Sequence, residues 1–525
     1  MAESVFVSTA IPYVNARPHL GHAFEFVQAD TAARHLARQG KQVFLSSGTD
    51  ENSLKNVLSA QKTGESTACL VERHAGDFVR LMSELGVVVD RFVRTSVDAD
   101  HRLGAAALWQ RMADRGDIYS RHYEGLYCVG CEEFRTPSEL AGGRCAVHRT
   151  EPTVVRERNY FFRLSKYQDA IVAALSTGEL RIWPQSRCNE MLGLARGGLT
   201  DISISRSVER AHGWGIPVPG DDSQVMYVWI DALTNYVNAL GWVRDSDDYD
   251  RYWRDAEQRI HVIGKDVTRF HAVYWPAMLM SAGLPLPTDV VVHGHVTLSG
   301  QKLSKSLGHV IDPVELIGRY SAEATRLFML AEFSPWADVD FTDQRLVARY
   351  NSDLANGLGN LVERVAGMTH RYRAGIVPEA GPRGTAKHSL LHNAVAAAAA
   401  CRTALDRFDY REAVARIWDL VRGANRYLDR LVPWELAAAE ERGDGHAAET
   451  LDGALHDLVA TLRTIALLLG PVLPETAAKV LDVLGVHVAD TREDGFSALD
   501  GWSPGIAGAK IARSPHLFPR LELTW

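Results

Sequence analysis

Two short basic groups carry the first chemical suggestion in this chain. His19-Leu20-Gly21-His22 follows directly on an apolar, strand-like run, and Lys302-Leu303-Ser304-Lys305-Ser306 lies on a glycine-flanked loop far downstream. A strand over Val5 to Thr9 that turns into a helix over Leu20 to Arg38 would set two imidazoles at a helix N-terminus, where unpaired N–H groups and the helix dipole favour phosphate. Two ammonium groups on a second loop would then supply mobile positive charge. Activation of a carboxylate by ATP needs charge stabilised at the α-phosphate and on the departing pyrophosphate, so the two groups together outline an ATP-activation site. Separately, each has a plain reading: a helix start with exposed histidines, and a polar surface loop.

A second group is Cys128-x2-Cys131 and Cys145-x2-His148, separated by thirteen residues. Two such pairs across a short loop can converge as a tetrahedral Cys3His set for zinc. All four positions would be filled, which suits a structural metal that holds a small subdomain. Cys69, Cys188 and Cys401 read as isolated thiols, and six cysteines in 525 residues make no disulfide framework.

The elements needed to position these groups follow a strand–helix alternation. Val5 to Thr9, the helix after His22, Val43 to Ser46, a helix near Leu54 to Lys62 and helices through 66 to 86 and 98 to 115 predict a parallel α/β sheet. The alternation resumes with a strand over Val225 to Ile230, a helix over Ala232 to Leu240, a strand over Ile260 to Ile263, a helix from Val267 to Ser281 and a strand over Val290 to Val292. The fold class expected is α/β: a Rossmann-type nucleotide-binding domain split by a zinc-knuckle insertion, followed by an α-helical bundle. The expected parts are residues 1–115 and 223–293 for the two halves of that domain, 116–222 for the insertion, 294–345 for the Lys302 loop and a stem-contact region, and 346–525 for the bundle. Ala394 to Cys401 reads as packed helix, amphipathic runs cover 411–431 and 447–470, and 375–384 is a loop.

Composition bounds the rest. A chain of 525 residues, 46% hydrophobic, can bury several cores, and a net charge of −8 confines any polyanion contact to local basic tracks. No basic region followed by an apolar stretch opens the chain and no run approaches roughly 18 apolar residues, so the expectation is a cytoplasmic protein without membrane insertion.

The ordered motifs resemble the methionyl-tRNA synthetase family, class I, single-knuckle type. Besides the counterparts of its HIGH and KMSKS signatures, the resemblance rests on Thr9-Ala-Ile-Pro-Tyr-Val-Asn15, Gly48-Thr-Asp-Glu51, Tyr160-Phe-Phe-Arg-Leu-Ser165, Leu199-Thr-Asp-Ile-Ser-Ile-Ser-Arg206, Trp214-Gly-Ile-Pro-Val-Pro219, Tyr227-Val-Trp-Ile-Asp-Ala232, Gly264-Lys-Asp266, Phe270-His271 and Tyr274-Trp-Pro-Ala277. It implies that His19, Gly21, His22, Lys302 and Lys305 serve ATP, His19, His22 and the lysines catalytically, with magnesium accompanying the nucleotide. Asp50 matches the anchor of the methionine ammonium, although a helix N-cap is its plain alternative. Ile11, Tyr13, Trp229, Ala232, Leu233, Tyr236 and His271 match the positions around the thioether, where aromatic and aliphatic walls suit a polarizable sulfur.

The resemblance also implies that Asn356, Asn360, Arg364 and Trp434 read an anticodon, with Trp434 stacking on a base. Arg422, Arg426 and Arg430 share a helix face, as a phosphate contact or equally as a solvated stripe paired with Asp419 and Asp429. The implied activity is ligation of methionine to methionine tRNA, including the initiator, by a monomer using ATP, Mg2+ and structural Zn2+. Leu303 replaces the family's methionine with little change in volume. Asn52-Ser53 stands where the family usually has His-Gly, a departure that keeps two other readings open: a divergent paralogue charging another amino acid such as leucine or cysteine, and a catalytically weak RNA-binding or regulatory protein.

Overall fold

The computed structural model describes residues 3–128, 133–135, 140–146, 149–298, 301–302, 311–380, 390–486 and 506–522, with 133–135 and 301–302 described by their backbone. The chain forms two compact units, one of Met1–Ala29, Gln42–Ser83 and Val87–His293, the other of Asp30–Lys41, Glu84–Gly86 and Gly294–Trp525.

The first unit opens with β1 (Ser4–Thr9) and the start of α1 (Leu20–Arg38), whose residues from Asp30 on belong to the second, and continues with β2 (Gln42–Thr49), α2 (Leu54–Thr63), α3 (Thr67–Glu84), β3 (Arg91–Arg94) and α4 (Ala99–Asp114). Five residues of β1 in succession are buried, as expected of a parallel strand covered on both faces. Next come β4 (Ile118–Cys128), β5 (Glu133–Arg135), β6 (Leu140–Ala141), β7 (Arg144–Cys145), β8 (Thr153–Phe162), α5 (Gln168–Thr177), β9 (Arg181–Trp183) and α6 (Gln185–Arg196). The unit closes with β10 (Ile202–Ser203), β11 (Ser205–Ser207), β12 (Pro217–Val218), β13 (Asp221–Met226), α7 (Val228–Asn238), α8 (Asp247–Tyr249), β14 (Gln258–Gly264), α9 (Trp275–Ala282) and β15 (Asp289–His293).

The parallel sheet has the order β3-β2-β1-β14-β15-β9. The loops after β1 and β2 both leave its carboxyl edge, the edge at which open α/β sheets bind ligands. β8 and β4 form a long antiparallel pair flanked by β10 and β5, and β13 lies between β11 and β12. Two sequence expectations are corrected. β9 arises inside 116–222 yet joins the parallel sheet beside β15, fastened by Arg181 on Asp289 at 2.7 Å through both carboxylate oxygens and by Trp183 Nε1 at 2.9 Å. The strand expected to Ile230 stops at Met226, and the helix starts at Val228. Every residue of that helix except Trp229 is buried, so enclosure on all sides overrides the strand propensity of the Val-Trp-Ile run.

The second unit contains β16 (Val296–Leu298) between β17 (Gln301–Lys302) and β18 (Val339–Phe341), with α10 (Pro313–Tyr320) and α11 (Ala322–Glu332) between β17 and β18 in sequence. The helical part runs through α12 (Asp343–Tyr350), a π-helical stretch Asn351–Gly359, α13 (Asn360–Arg373), α14 (Leu390–Asp406), α15 (Tyr410–Leu431), α16 (Pro433–Glu441), α17 (Gly445–Leu469) and α18 (Pro474–Val483). α15 buries Tyr410, Ala413, Val414, Ile417, Val421, Ala424 and Leu428, one stripe at three- and four-residue spacing. The alanines and Cys401 on the buried face of α14 let α15 pack against it. Among the described residues, no helix is long and apolar enough to cross a membrane.

Candidate functional site

His19 precedes the first residue of α1, and its N–H donates to Nδ1 of His22 at 3.2 Å while His22 N–H donates to the His19 carbonyl at 3.0 Å. A side chain at the third helical position reaching back to the preceding N–H reproduces the logic of a capping box. The imidazoles stack at 3.8 Å with planes 7° apart. Gly21 makes room for this, since a Cβ there would lie 3.0 Å from His19 Cε1. The pair therefore sits on the N-terminus of α1 at the end of the sheet, as the strand–helix turn requires. Lys302 lies in β17 of the other unit, and Lys305 falls outside the described residues.

The loops after β1 and β2 meet through a parallel bridge between Tyr13 and Asp50, and Asp50 N–H donates to the Pro12 carbonyl at 2.9 Å. The Asp50 carboxyl is on a buried residue, 1% exposed. Its alternative role as a helix cap goes instead to Ser53, whose hydroxyl accepts from the N–H of Lys55 at the start of α2. The turn is braced throughout. Asn56 Nδ2 donates to the Asp50 and Glu51 carbonyls at 3.1 and 2.8 Å, Trp214 Nε1 donates to the Glu51 carbonyl at 2.8 Å, and Arg94 Nε meets the fully buried Glu51 carboxylate at 2.7 Å.

From this turn an aromatic wall continues without a break. Tyr13 meets Trp229 edge to face at 6.2 Å, Trp229 stacks on Phe270 at 3.7 Å, and His271 lies edge-on to Trp229 at 6.4 Å. Tyr236 then donates to His271 Nε2 at 2.6 Å, because His271 Nδ1 already donates to the Val267 carbonyl at 2.9 Å. Burial pushes the imidazole down to about 4 and the Tyr236 phenol well above its ordinary value, so both are neutral near pH 7. Ala232, Leu233 and Tyr236 come from one helix, α7, and are buried, as is Ile11. The structure thus joins Asp50, Tyr13, Trp229, His271 and Tyr236 in one contact path. The result is a polarizable, uncharged wall that starts at a buried carboxylate, which suits a ligand with an ammonium at one end and an apolar chain at the other.

Sequence reasoning named His271 but missed its local conformation, and it missed the buried polar groups around it. His271 lies in a π-helical turn, Phe270–Tyr274, rather than in a uniform helix. Behind it, His261 bonds Ser8 at 2.7 Å, and burial pushes its imidazole well down. Glu25, on α1 beyond His22, meets His293 at 3.0 Å, and burial raises its carboxyl. Asp231, within the quoted Tyr227–Ala232 motif, bonds Asn52.

Of the expected zinc ligands, Cys131 and His148 lie outside the described residues. Cys128 and Cys145 are each 1% exposed. Cys145 N–H donates to the Thr150 carbonyl at 2.9 Å, Arg149 N–H donates to the Cys145 carbonyl at 2.8 Å, and the Thr150 hydroxyl is 3.9 Å from Cys128 Sγ. Two buried thiols around one closed turn fit the soft donors a zinc ion takes.

The four nucleic-acid candidates have different surroundings. Asn356 falls in the π-helical stretch that precedes α13, and its Oδ1 accepts from Arg520 at 2.8 Å. Asn360 is exposed at the start of α13, and Arg364 pairs with Asp429 at 2.8 Å. Arg422 pairs with Asp419 at 2.7 Å. Val432, a β-branched residue held at φ 50°, turns the chain from α15 into α16, and Trp434 follows it with 56% of its surface exposed.

Comparison with known proteins points to one family. The family described as tRNA synthetases class I (M) matches residues 5–142 and 131–366, and the anticodon binding domain of methionyl tRNA ligase matches 377–522. The chain is 40% identical over 523 residues to a methionine–tRNA ligase of Mesorhizobium japonicum, covering 99% of this chain and 98% of that one. It is 40% identical over 485 residues to the ligase of Mycobacterium tuberculosis, covering 91% and 92%. A solved structure of Mycobacterium tuberculosis methionyl-tRNA synthetase in complex with methionyl-adenylate superposes with a TM-score of 0.92 at 38% identity, covering 99% and 100% of the two chains.

Proposed function

The chain belongs to the class I methionyl-tRNA synthetases, and from that premise we propose which of its residues carry each step of the reaction. The enzyme activates methionine with ATP and transfers it to the 3′ end of methionine tRNA. In the first step a methionine carboxylate oxygen attacks the α-phosphorus of ATP, and the bond to the β-phosphate oxygen breaks as pyrophosphate leaves. In the second, a hydroxyl of the terminal tRNA ribose attacks the activated carbonyl and AMP departs with the electron pair.

Asp50 holds the ammonium, and Ile11, Tyr13, Trp229, Ala232, Leu233, Tyr236 and His271 enclose the thioether chain. The neutral His271 and Tyr236 offer sulfur a polarizable boundary without a charge to desolvate. His19 and His22, with Gly21 giving the close approach, contact the ATP phosphates, and Lys302 and Lys305 bring charge to the transition state, Lys305 foremost. Magnesium accompanying ATP would supply counter-charge to its phosphates. Cys128, Cys131, Cys145 and His148 hold a structural zinc, which when bound ties the knuckle together. Asn356, Asn360, Arg364 and Trp434 contact the anticodon, Trp434 by stacking.

The five-part division at residues 115, 222, 293 and 345 is retained as a functional partition, with β9 returned to the catalytic sheet. One chain carries both the activation residues and the anticodon domain, and its substrates are those of translation. That supports a monomeric, cytoplasmic enzyme.

The observation that carries the amino-acid assignment is the unbroken contact path from Asp50 through Tyr13, Trp229 and His271 to Tyr236. Amino-acid-dependent ATP–pyrophosphate exchange with methionine, leucine, norleucine, homocysteine and cysteine tests it. Strong exchange with methionine is expected. Preference for another amino acid would reassign the pocket, and no exchange with any would leave an RNA-binding paralogue.

A further inference from the structure

Behind the proposed pocket runs a buried hydrogen-bond chain that the reaction itself does not use. Asn52 lies between Glu51 and the capping Ser53, and its Nδ2 donates to Asp231 Oδ2 at 2.7 Å and to the Thr95 carbonyl at 3.3 Å. Asp231, 1% exposed, stands on the first turn of α7, and its other oxygen bonds Nε2 of the equally buried His101 on α4. At the far end of α7, Asn238 Nδ2 donates to the His101 carbonyl and to His101 Nδ1, both at 3.2 Å. An amide that donates to the carbonyl must present its NH2 group to the ring as well, so Nδ1 accepts and Nε2–H donates to Asp231. The direction of every bond in the chain is thereby set. Gly104, one turn beyond His101, admits the Asn238 amide, because a Cβ there would fall 1.8 Å from its Oδ1.

This chain ties α7 to α4 near both of its ends and to the turn after β2 at one. The braces from Asn56, Trp214 and Arg94 hold that turn to itself and to its neighbours, whereas Asn52 crosses to α7. Asn52 is two residues from Asp50, and Asp231 lies two residues after Trp229 and directly before Ala232. The Asn52–Asp231 bond therefore links the carboxylate end of the pocket to the helix that forms its apolar wall. A buried carboxylate accepting two directed donors is costly to displace, which makes the link stiff.

We infer that the Asn52–Asp231–His101–Asn238 chain is a positioning device that sets the distance between Asp50 and the α7 wall, and so determines which length and shape of unbranched amino-acid side chain the pocket accepts. The inference rests on the reading of Asp50 and α7 as the methionine site. Asn52 is its adjustable member, since it enters from a loop while its partners stand on two helices.

The test is ATP–pyrophosphate exchange by the full chain, read for methionine and norleucine. Asn52→Ala is expected to raise the KM for methionine about tenfold and to lower the methionine-over-norleucine preference in kcat/KM, with the KM for ATP within about twofold. Asn52→Asp, of equal size but with like charge against Asp231, is expected to raise it further. Asn52→His keeps an N–H donor for Asp231 and is expected to restore most of the loss. Asp50→Asn separates the two claims, because the pocket reading requires it to abolish methionine-dependent exchange. If it does so while Asn52→Ala leaves methionine KM and the norleucine ratio unchanged, the positioning role is overturned and the pocket stands. A uniform loss in both substrates' parameters, parallel to a lower melting temperature, overturns it as well by showing a purely structural role. If Asp50→Asn leaves methionine KM intact, the pocket reading falls and the inference with it.

Discussion

The Tyr236 hydroxyl donates to Nε2 of His271 at 2.6 Å, and the opposite nitrogen of the same ring is held by the Val267 carbonyl at 2.9 Å. An imidazole fixed at both nitrogens has one tautomer and one orientation, and its ring edge is presented to Trp229.

Tyr236→Phe removes the donor and leaves a buried ring nitrogen unsatisfied. A loss of about 1–3 kcal/mol is expected, shared between stability and substrate binding. In exchange assays the KM for methionine should rise severalfold while the KM for ATP stays near wild type. Equal rises in both would place the bond outside the amino-acid pocket.

The same ring gives a pH dependence of stability. Burial pushes His271 down to about 4 from 6.5, so between those values the folded state keeps it neutral while the unfolded chain binds a proton. Stability contributed by the neutral ring is complete above about 6.5 and declines as pH falls towards 4, by about 3 kcal/mol in all. His261, also pushed down by burial, adds in the same direction. Urea unfolding of wild type and His271→Gln at neutral and mildly acidic pH checks this. The variant should lose less stability on acidification, and an identical loss would refute the assignment.

Much of this arrangement was legible in the residues. The apolar run before His19 marked β1 to within one residue, and the helix expected over Leu20 to Arg38 has those bounds in α1. Val225 to Ile230 misled because its β-branched and aromatic residues suit a strand, whereas the ladder partner β11 ends the pairing at Met226. β9 is three residues long and carries no periodicity. The π-helical turns at 270–274 and 351–359 depart from the 3.6-residue pattern that sequence inspection assumes, and a local widening of a helix carries no composition signal. Within the site, Asp50 and the pocket residues came from motif order. The Asn52–Asp231–His101 chain joins residues 179 and 130 positions apart, for which no local spacing exists.

In the second unit, Arg326 is fully buried and donates to Asp30 Oδ2 at 2.7 Å and to the carbonyls of Val472, Leu85 and Pro471 at 3.0, 3.2 and 3.4 Å. Arg326→Leu fills much of the volume but leaves the carbonyls without that donor and leaves Asp30 with Arg34, whose Nε donates to it at 2.8 and 2.9 Å. A destabilisation of about 3–5 kcal/mol is expected, visible as a lower melting temperature. Arg326→Lys should recover little, since one ammonium cannot serve acceptors spread around a planar fork. A melting temperature unchanged in both would mean that the network contributes nothing net.

Trp434 presents the opposite case, a large aromatic ring left 56% exposed next to Val432 at φ 50°. Solvating an indole and holding a β-branched residue in the left-handed region both oppose folding, and the stacking role proposed above for Trp434 gives an exposed ring a use. Trp434→Ala should therefore leave the melting temperature and methionine-dependent ATP–pyrophosphate exchange close to wild type. Stacking contributes about 1–3 kcal/mol per base, so kcat/KM for tRNA charging should fall between about fivefold and a hundredfold. Trp434→Phe, with a smaller face, should recover part of the loss. Charging that is unaffected by Trp434→Ala would remove this residue from the anticodon surface and shift attention to Asn360 and Arg364.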